Sequence, residues 1–397
     1  MQYRFVPKNG DKLSVLGFGC MRLPLNGQAI DEPRAIRQIR LAIDNGVNYV
    51  DTAPPYHGGE SEVVLGKALL GGYREKVKVA TKLTPSMLNK PEDMQKMLDG
   101  QLQKLQTDHI DYYLVHSLDD VSWSKMQSFG VLKFLEKAKA DGKIVNICFS
   151  FHGTLETFKE IVDAYDWVMC QIQYNFLDEK MQAGTEGMRY AASKNLAVVV
   201  MEPLRGGSLT CKVPVDVQKV YDSANVQWSP AEWALRWVWN HPEVTLALSG
   251  MNDEAQVREN IKIGNVALPN SMTPGQLAVI KKVEAAYRNL IKIPCTGCGY
   301  CMPCPAGVDI PRNFQLYNDY CMFDDEQQTR SLYALVLMGG IGTERCDASL
   351  CQDCKQCVAR CPQHIDVSGK LWEVSDKLGG PKTEAIAAMM KSQRKES

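Results

Sequence analysis

Short apolar runs and amphipathic stretches alternate along the first two thirds of the chain. Residues 1–14 predict a hairpin with Lys8, Asn9, Gly10 and Asp11 at its tip. After it the rhythm is regular. Apolar runs at 16–21, 47–51, 77–82, 110–116, 144–149, 168–172, 197–202 and 245–249 predict strands. Stretches at 33–45, 60–70, 91–106, 125–140, 154–164, 179–194, 229–240 and 253–263 predict helices, the first with Ile36, Ile39, Leu41 and Ile43 as its apolar positions. The strand runs are continuous rather than alternating, as expected when helices cover a parallel sheet. Eight such units over about 265 residues are the size of a closed (β/α)8 barrel. A doubly wound open sheet is the competing layout, but the sequence lacks the Gly-x-Gly-x-x-Gly turn it would use for a dinucleotide. A ninth helix, 274–290, would link to a second domain.

Length and composition change the picture in one respect. With 397 residues the chain is too long for one ordinary core. Its 45 Lys and Arg against 46 Asp and Glu give no electrostatic case for nucleic acid or a membrane surface. No long uncharged apolar run is present and Met1–Gly10 lacks a signal-peptide layout, so a cytoplasmic protein is expected. The cysteines are what stand out. Ten of the fourteen lie between Cys295 and Cys361, and only Cys20, Cys148, Cys170 and Cys211 precede them. A reducing compartment argues against disulfides, so the dense group should bind metal. Composition shifts at Pro294–Cys295, which divides the chain into a barrel (1–290), a cysteine-rich domain (291–379) and a polar C-terminal tail (380–397).

In a barrel the C-terminal strand ends converge on one mouth. The polar residues there are Asp51, Lys82, His116, Ser150, Gln171, Glu202 and Ser249. Taken singly, each reads as a satisfied polar residue at a strand end. Asp51, Lys82 and His116 on the second, third and fourth strands, with Tyr56 just after the first of these, form a coherent set. A phenol holds its proton at neutral pH, with an ordinary pKa near ~10. An adjacent ammonium stabilises the phenolate, and a carboxylate behind the lysine keeps it charged and aimed. A histidine can polarise an incoming oxygen. Together they make a general acid for a carbonyl oxygen that becomes an alkoxide.

The stretch from Asn48 through Asp51, Pro54 and Pro55 to Tyr56, continued by Glu60, Ser61, Glu62 and Gly66, resembles the signature of the aldo-keto reductases. Lys82 and His116 fall where that family's tetrad continues, and the similarity runs over residues 1–290. The resemblance implies Tyr56 as proton donor, Lys82 as its pKa tuner, Asp51 as the lysine's partner and His116 as substrate orienter. It also implies the barrel, a nicotinamide cofactor and carbonyl/alcohol chemistry. By the same resemblance Ser150 and Gln171 hold the nicotinamide carboxamide, and Leu204, Arg205 and Gly206 form the pyrophosphate loop. The segment from Ser249 to Asn260 resembles the adenosine-phosphate site, with Gly250 and Gln256 where lysine and arginine often stand, so NAD and NADP both stay open. Phe151 and Met201 replace an asparagine and an aromatic of the family pattern.

The second domain carries Cys295, Cys298, Cys301 and Cys304 before Pro305, then Cys351, Cys354, Cys357 and Cys361 before Pro362. Cys-x-x-Cys turns point backbone N–H groups inward while several thiolates reach one centre. Zinc also uses such pairs, but two quartets with terminal proline follow the bacterial ferredoxin pattern. That resemblance implies two 4Fe–4S clusters with crossed fourth ligands. One takes Cys295, Cys298, Cys301 and Cys361, and the other takes Cys351, Cys354, Cys357 and Cys304. Between the runs, helices at 312–320 and 326–338 predict a small, mainly helical, ferredoxin-like domain, with Cys321 and Cys346 outside both ligand sets.

The expectation is an NAD(P)-dependent oxidoreductase acting on a small-molecule carbonyl or alcohol. Hydride moves two electrons and a cluster moves one, so the clusters either stabilise the fold or serve a redox partner protein. A nicotinamide-binding redox sensor that signals through the cluster domain is the alternative.

Overall fold

The computed structural model describes residues 1–395 apart from 296, 298 and 341–343. The chain folds into two compact units, residues 1–207 with 228–280, and residues 208–227 with 281–397. The segment 208–227 therefore belongs with the second unit, although it lies inside the span expected for the barrel.

The first unit is a closed barrel of eight parallel strands: β1 (Leu16–Gly19), β2 (Tyr49–Asp51), β3 (Lys78–Leu83), β4 (Ile110–Leu118), β5 (Ile144–Phe151), β6 (Met169–Gln173), β7 (Ala197–Met201) and β8 (Val244–Ser249). The strands follow one another in chain order around the barrel, and β8 pairs back onto β1. All eight expected strands are present. Side chains alternate along a strand, and one set fills the barrel's lower interior: Tyr49, Ala80, Tyr112, Leu114, Cys148, Met169, Ala197, Val199, Leu246 and Leu248. The N-terminal hairpin, Tyr3–Phe5 against Lys12–Ser14, adds Val6 and Leu13 to this cluster and closes the base.

Helix ends differ from expectation where a turn residue intervenes. The predicted 125–140 helix is two, Asp120–Ser128 and Val131–Ala140, because Gly130 takes a left-handed conformation (φ +70°) between them. The 179–194 helix starts later, at Gly184. The helix Pro230–Asn240 is capped by Ser229, whose Oγ accepts from the Glu232 N–H at 3.1 Å. Trp233, Trp237 and Trp239 on that helix are buried packing residues.

The second unit is helical. Helices Ile310–Phe323, Glu326–Val336, Val367–Leu378 and Pro381–Lys395 surround a core that includes Ile293, Phe314, Tyr333, Leu337, Leu371, Val374 and Ala387. The last helix corrects the expected polar tail at 380–397. Ile386, Ala387 and Met390 recur at helical spacing and pack on this core, and buried Thr383 donates to the Leu378 carbonyl at 2.6 Å. Among the described residues no helix is long and apolar enough to cross a membrane.

Candidate active site

Two residues beyond the interior layer, the period-two alternation brings the next inward residue of each strand to the mouth. Tyr49 leads to Asp51, Ala80 to Lys82, Leu114 to His116, Cys148 to Ser150, Met169 to Gln171 and Val199 to Met201. The structure thus gathers Asp51, Lys82 and His116, with Tyr56 supplied by the turn Tyr56–Gly59 after β2. Lys82 Nζ donates to Asp51 Oδ1 at 2.6 Å and to the Thr52 carbonyl at 2.8 Å. It lies 5.0 Å from the centroid of the Tyr56 ring. The His116 ring stands edge-on to Tyr56, centroids 6.1 Å apart. His116 Nδ1 is 3.0 Å from Thr84 Oγ1.

Burial decides the electrostatics. Lys82 is fully buried and Asp51 is 2% exposed. Burial raises the Asp51 carboxyl above its ordinary range against the pull of Lys82. Burial alone would lower Lys82, but Asp51 and Tyr56 outweigh it and hold the ammonium above its ordinary value. For Tyr56, burial raises the phenol, and the charge and hydrogen bond of Lys82 oppose that rise without cancelling it. The lysine's effect has the expected sign, but desolvation is larger, so the net shift of the phenol is upward. His116 is pushed well below the ordinary histidine range by burial first, then by the charges of Lys82 and His152. It is therefore a neutral imidazole at physiological pH.

Behind the lysine, a buried network fixes its strand. Glu62 Oε1 accepts from Thr81 Oγ1 at 2.7 Å and from Gln101 Nε2 at 2.9 Å, and the same amide lies 2.9 Å from the Lys82 carbonyl. Cys20 is buried close enough to Asp51 and Lys82 for both charges to act on it. Thr52, Thr84 and Cys20 were not singled out from sequence, where a lone threonine or cysteine after a strand carries no pattern. Trp123 packs edge-on against Trp167, centroids 6.2 Å apart.

The residues expected at the cofactor divide. Ser150 and Gln171 face the mouth, each almost wholly buried. Ser150 Oγ accepts from the Ser117 N–H at 2.7 Å, with Ser117 held at φ +54°. Gln171 Nε2 approaches Met201 Sδ at 3.7 Å, while its Oε1 is buried with no hydrogen-bond partner among the described residues. An acceptor left unmatched in a dry site suits an amide N–H, so the set fits a nicotinamide carboxamide. Leu204, Arg205 and Gly206 lie in the loop after β7, with Glu202, Arg205 and Gly206 all at positive φ. Arg205 Nε pairs with Asp178 Oδ2 at 3.1 Å, a partner 27 residues away that sequence reasoning did not supply. Ser249 is not an axis-facing residue: Leu246 and Leu248 take the inward positions of β8, and Ser249 Oγ accepts from Asn260 Nδ2 at 3.0 Å. Gln256 Oε1 accepts from the Asn252 N–H at 3.1 Å. A Cβ on Gly250 would stand 3.1 Å from the Arg22 side chain, so the missing side chain there admits the β1 loop.

In the second unit Cys298 lies outside the described residues. Cys295, Cys301 and Cys361 line one apolar pocket with Ile310, Phe314 and Val367. The Gly297 N–H points at Cys295 Sγ at 3.4 Å, the inward amide that a Cys-x-x-Cys turn supplies. Burial raises the Cys357 thiol, and Cys351, Cys304 and Cys354 stand close enough to add to the rise. Among the described residues no three His, Cys, Asp or Glu side chains are drawn together around a single ion.

A parallel eight-stranded barrel with a buried Lys–Asp pair beside a phenol and an imidazole defines a class of carbonyl-handling oxidoreductases. Residues 15–275 match the Aldo/keto reductase family, and residues 294–365 match the 4Fe-4S dicluster domain. The chain belongs to the aldo/keto reductase family; it is an NAD(P)-dependent oxidoreductase of that type with a C-terminal 4Fe–4S domain. It is 27% identical over 310 residues to the NADH-specific methylglyoxal reductase of Escherichia coli (strain K12), covering 65% of this chain and 92% of that protein. It is 24% identical over 345 residues to a probable voltage-gated potassium channel subunit beta of Arabidopsis thaliana, covering 74% of this chain and 99% of that one. Among solved structures, an aldo-keto reductase of Bacillus halodurans in its holo form superposes with a TM-score of 0.61 at 25% identity, over 71% of this chain and 96% of that one.

Proposed function

We propose that the protein interconverts a small-molecule carbonyl and its alcohol, with Tyr56 as general acid/base, and that its cluster domain holds two 4Fe–4S clusters. The observation that carries the reading is the 2.6 Å Lys82–Asp51 pair set against the Tyr56 ring. The substrate oxygen gains negative charge as its carbon is reduced, and Tyr56 gives it the phenolic proton. Lys82 stabilises the phenolate left behind, and Asp51 keeps Lys82 charged and aimed. Neutral His116 orients the oxygen. Ser150 and Gln171 hold the nicotinamide carboxamide, and the loop at Leu204, Arg205 and Gly206 and the segment with Ser249, Gly250, Gln256 and Asn260 lie where the rest of the dinucleotide would run. When bound, NAD(P)H supplies the hydride, and each cluster carries a single electron.

One cluster takes Cys295, Cys298, Cys301 and Cys361, and the other takes Cys351, Cys354, Cys357 and Cys304; the pocket shared by Cys295, Cys301 and Cys361 supports the crossing. The clusters serve a redox partner protein in the cytoplasm rather than stapling the fold. The likeness to a potassium channel subunit beta favours a second reading, a nicotinamide-bound redox sensor. Incubation with NAD(P)H deuterated at C4 and a panel of aldehydes and ketones separates the two. The proposal expects deuterium at the carbinol carbon of a product alcohol. No labelled alcohol from any carbonyl, with cofactor bound, favours the sensor.

A further inference from the structure

His116 is held at one ring nitrogen. Its Nδ1 lies 3.0 Å from Thr84 Oγ1, and each of these atoms can be donor or acceptor. The surroundings choose between the two arrangements. Thr84 is 5% exposed, and among the described residues its hydroxyl has no other hydrogen-bond partner. Were the imidazole proton on Nδ1, Thr84 would accept it and its own O–H would be left buried with no acceptor. With the proton on Nε2, the hydroxyl donates to the Nδ1 lone pair and both groups are satisfied. The Thr84 backbone holds its position independently, its N–H meeting Met97 Sδ at 3.4 Å and its carbonyl accepting from the Met87 N–H at 3.1 Å.

We propose that Thr84 is a positioning residue that fixes His116 as the Nε2–H tautomer, so that this ring meets the substrate oxygen as a hydrogen-bond donor. The inference rests on the carbonyl reaction assigned to this site. A lone pair at Nε2 would repel an oxygen gaining negative charge, whereas an N–H stabilises it more as the charge grows. A neutral ring can donate through only one nitrogen, so the choice made at Nδ1 decides what Nε2 offers. Burial and the charge of Lys82 keep the ring neutral, which is the state in which the tautomer matters.

The test uses the full-length protein with its clusters, labelled with 15N-histidine, and variants Thr84→Val and Thr84→Ser. Nitrogen shifts should show His116 protonated at Nε2 in the parent and in Thr84→Ser, and a mixed or reversed tautomer in Thr84→Val. The Thr84→Val kcat should fall roughly tenfold, the worth of one hydrogen bond, with KM and cofactor affinity nearly unchanged. Thr84→Ser should restore kcat. An Nδ1–H tautomer in the parent overturns the proposal, and so does a change of tautomer or of kcat in Thr84→Val without the other. If Thr84→Val does not fold, the parent and Thr84→Ser spectra still decide it. Full turnover in Tyr56→Phe would remove the carbonyl reading instead, while the tautomer measurement in the resting protein would stand.

Discussion

Removing one member of the Lys82–Asp51 pair tests whether the site is built around a buried ion pair. The two charged atoms are 2.6 Å apart, Lys82 has no exposed surface and Asp51 has 2%. In Lys82→Met the carboxylate loses its only strong partner, since Asp51 Oδ2 has no hydrogen bond among the described residues. It must stay charged in a dry site or take a proton. Protonating an ordinary aspartate at pH 7 costs about 4 kcal/mol, close to the usual cost of breaking a buried pair. In Asp51→Asn the ammonium keeps the Thr52 carbonyl and Tyr56 as partners, so the loss should be smaller, about 2–3 kcal/mol. The double variant leaves no unpaired charge and should lose only about 1–2 kcal/mol, a coupling of about 4 kcal/mol or more. The Lys82→Met deficit should also shrink as pH falls. A carboxyl whose folded pKa is raised carries no penalty below its unfolded pKa; the penalty grows as pH rises from the unfolded to the folded value and is level above it. Urea unfolding followed by tryptophan fluorescence is suitable, because Trp123, Trp167, Trp228, Trp233, Trp237 and Trp239 all lie in the barrel unit. Single losses that sum to the double within about 0.5 kcal/mol would refute the buried-pair reasoning.

Other consequences are more local. Because burial, Lys82 and His152 keep His116 neutral, kcat/KM for carbonyl reduction should be level from about pH 6 to 8; a limb near the ordinary histidine pKa that vanishes in His116→Gln would contradict this. Gln171→Leu removes an acceptor that makes no hydrogen bond of its own. It should leave unfolding nearly unchanged while weakening NAD(P)H binding roughly tenfold by fluorescence titration, and unchanged affinity would free Gln171 of that role. Cys361→Ala and Cys295→Ala should each remove the same cluster by electron paramagnetic resonance and lower iron content by about half, and Cys304→Ala should remove the other. Loss of one signal by both Cys304→Ala and Cys295→Ala would show uncrossed ligation.

What sequence could supply was set by short-range pattern. The strands were readable because each is an apolar run, and their ends because a polar residue two positions past an interior one must face the mouth: Asp51 after Tyr49, Lys82 after Ala80, His116 after Leu114. Ser249 ends its strand in the same way, but the inward series there is Leu246 and Leu248, so it turns to Asn260. The break at Gly130 depends on one backbone conformation inside an otherwise helical pattern. The helix Pro381–Lys395 owes its place to a few apolar residues that composition averages away. The Arg205–Asp178 pair and the grouping of 208–227 with the second unit depend on contacts between distant residues, which no local window contains. Thr84 was invisible for a simpler reason: its role comes from the nitrogen it faces, not from its neighbours in sequence.

The central claim is that Tyr56 gives up a proton to a carbonyl oxygen while Lys82 steadies what remains. Single-turnover mixing of NAD(P)H-loaded protein with an aldehyde, parent against Tyr56→Phe, tests it most directly by the decay of the reduced cofactor. The account predicts decay slowed by roughly 10²-fold or more in Tyr56→Phe, with cofactor affinity and cluster content unchanged. Equal decay rates in the two proteins would contradict it.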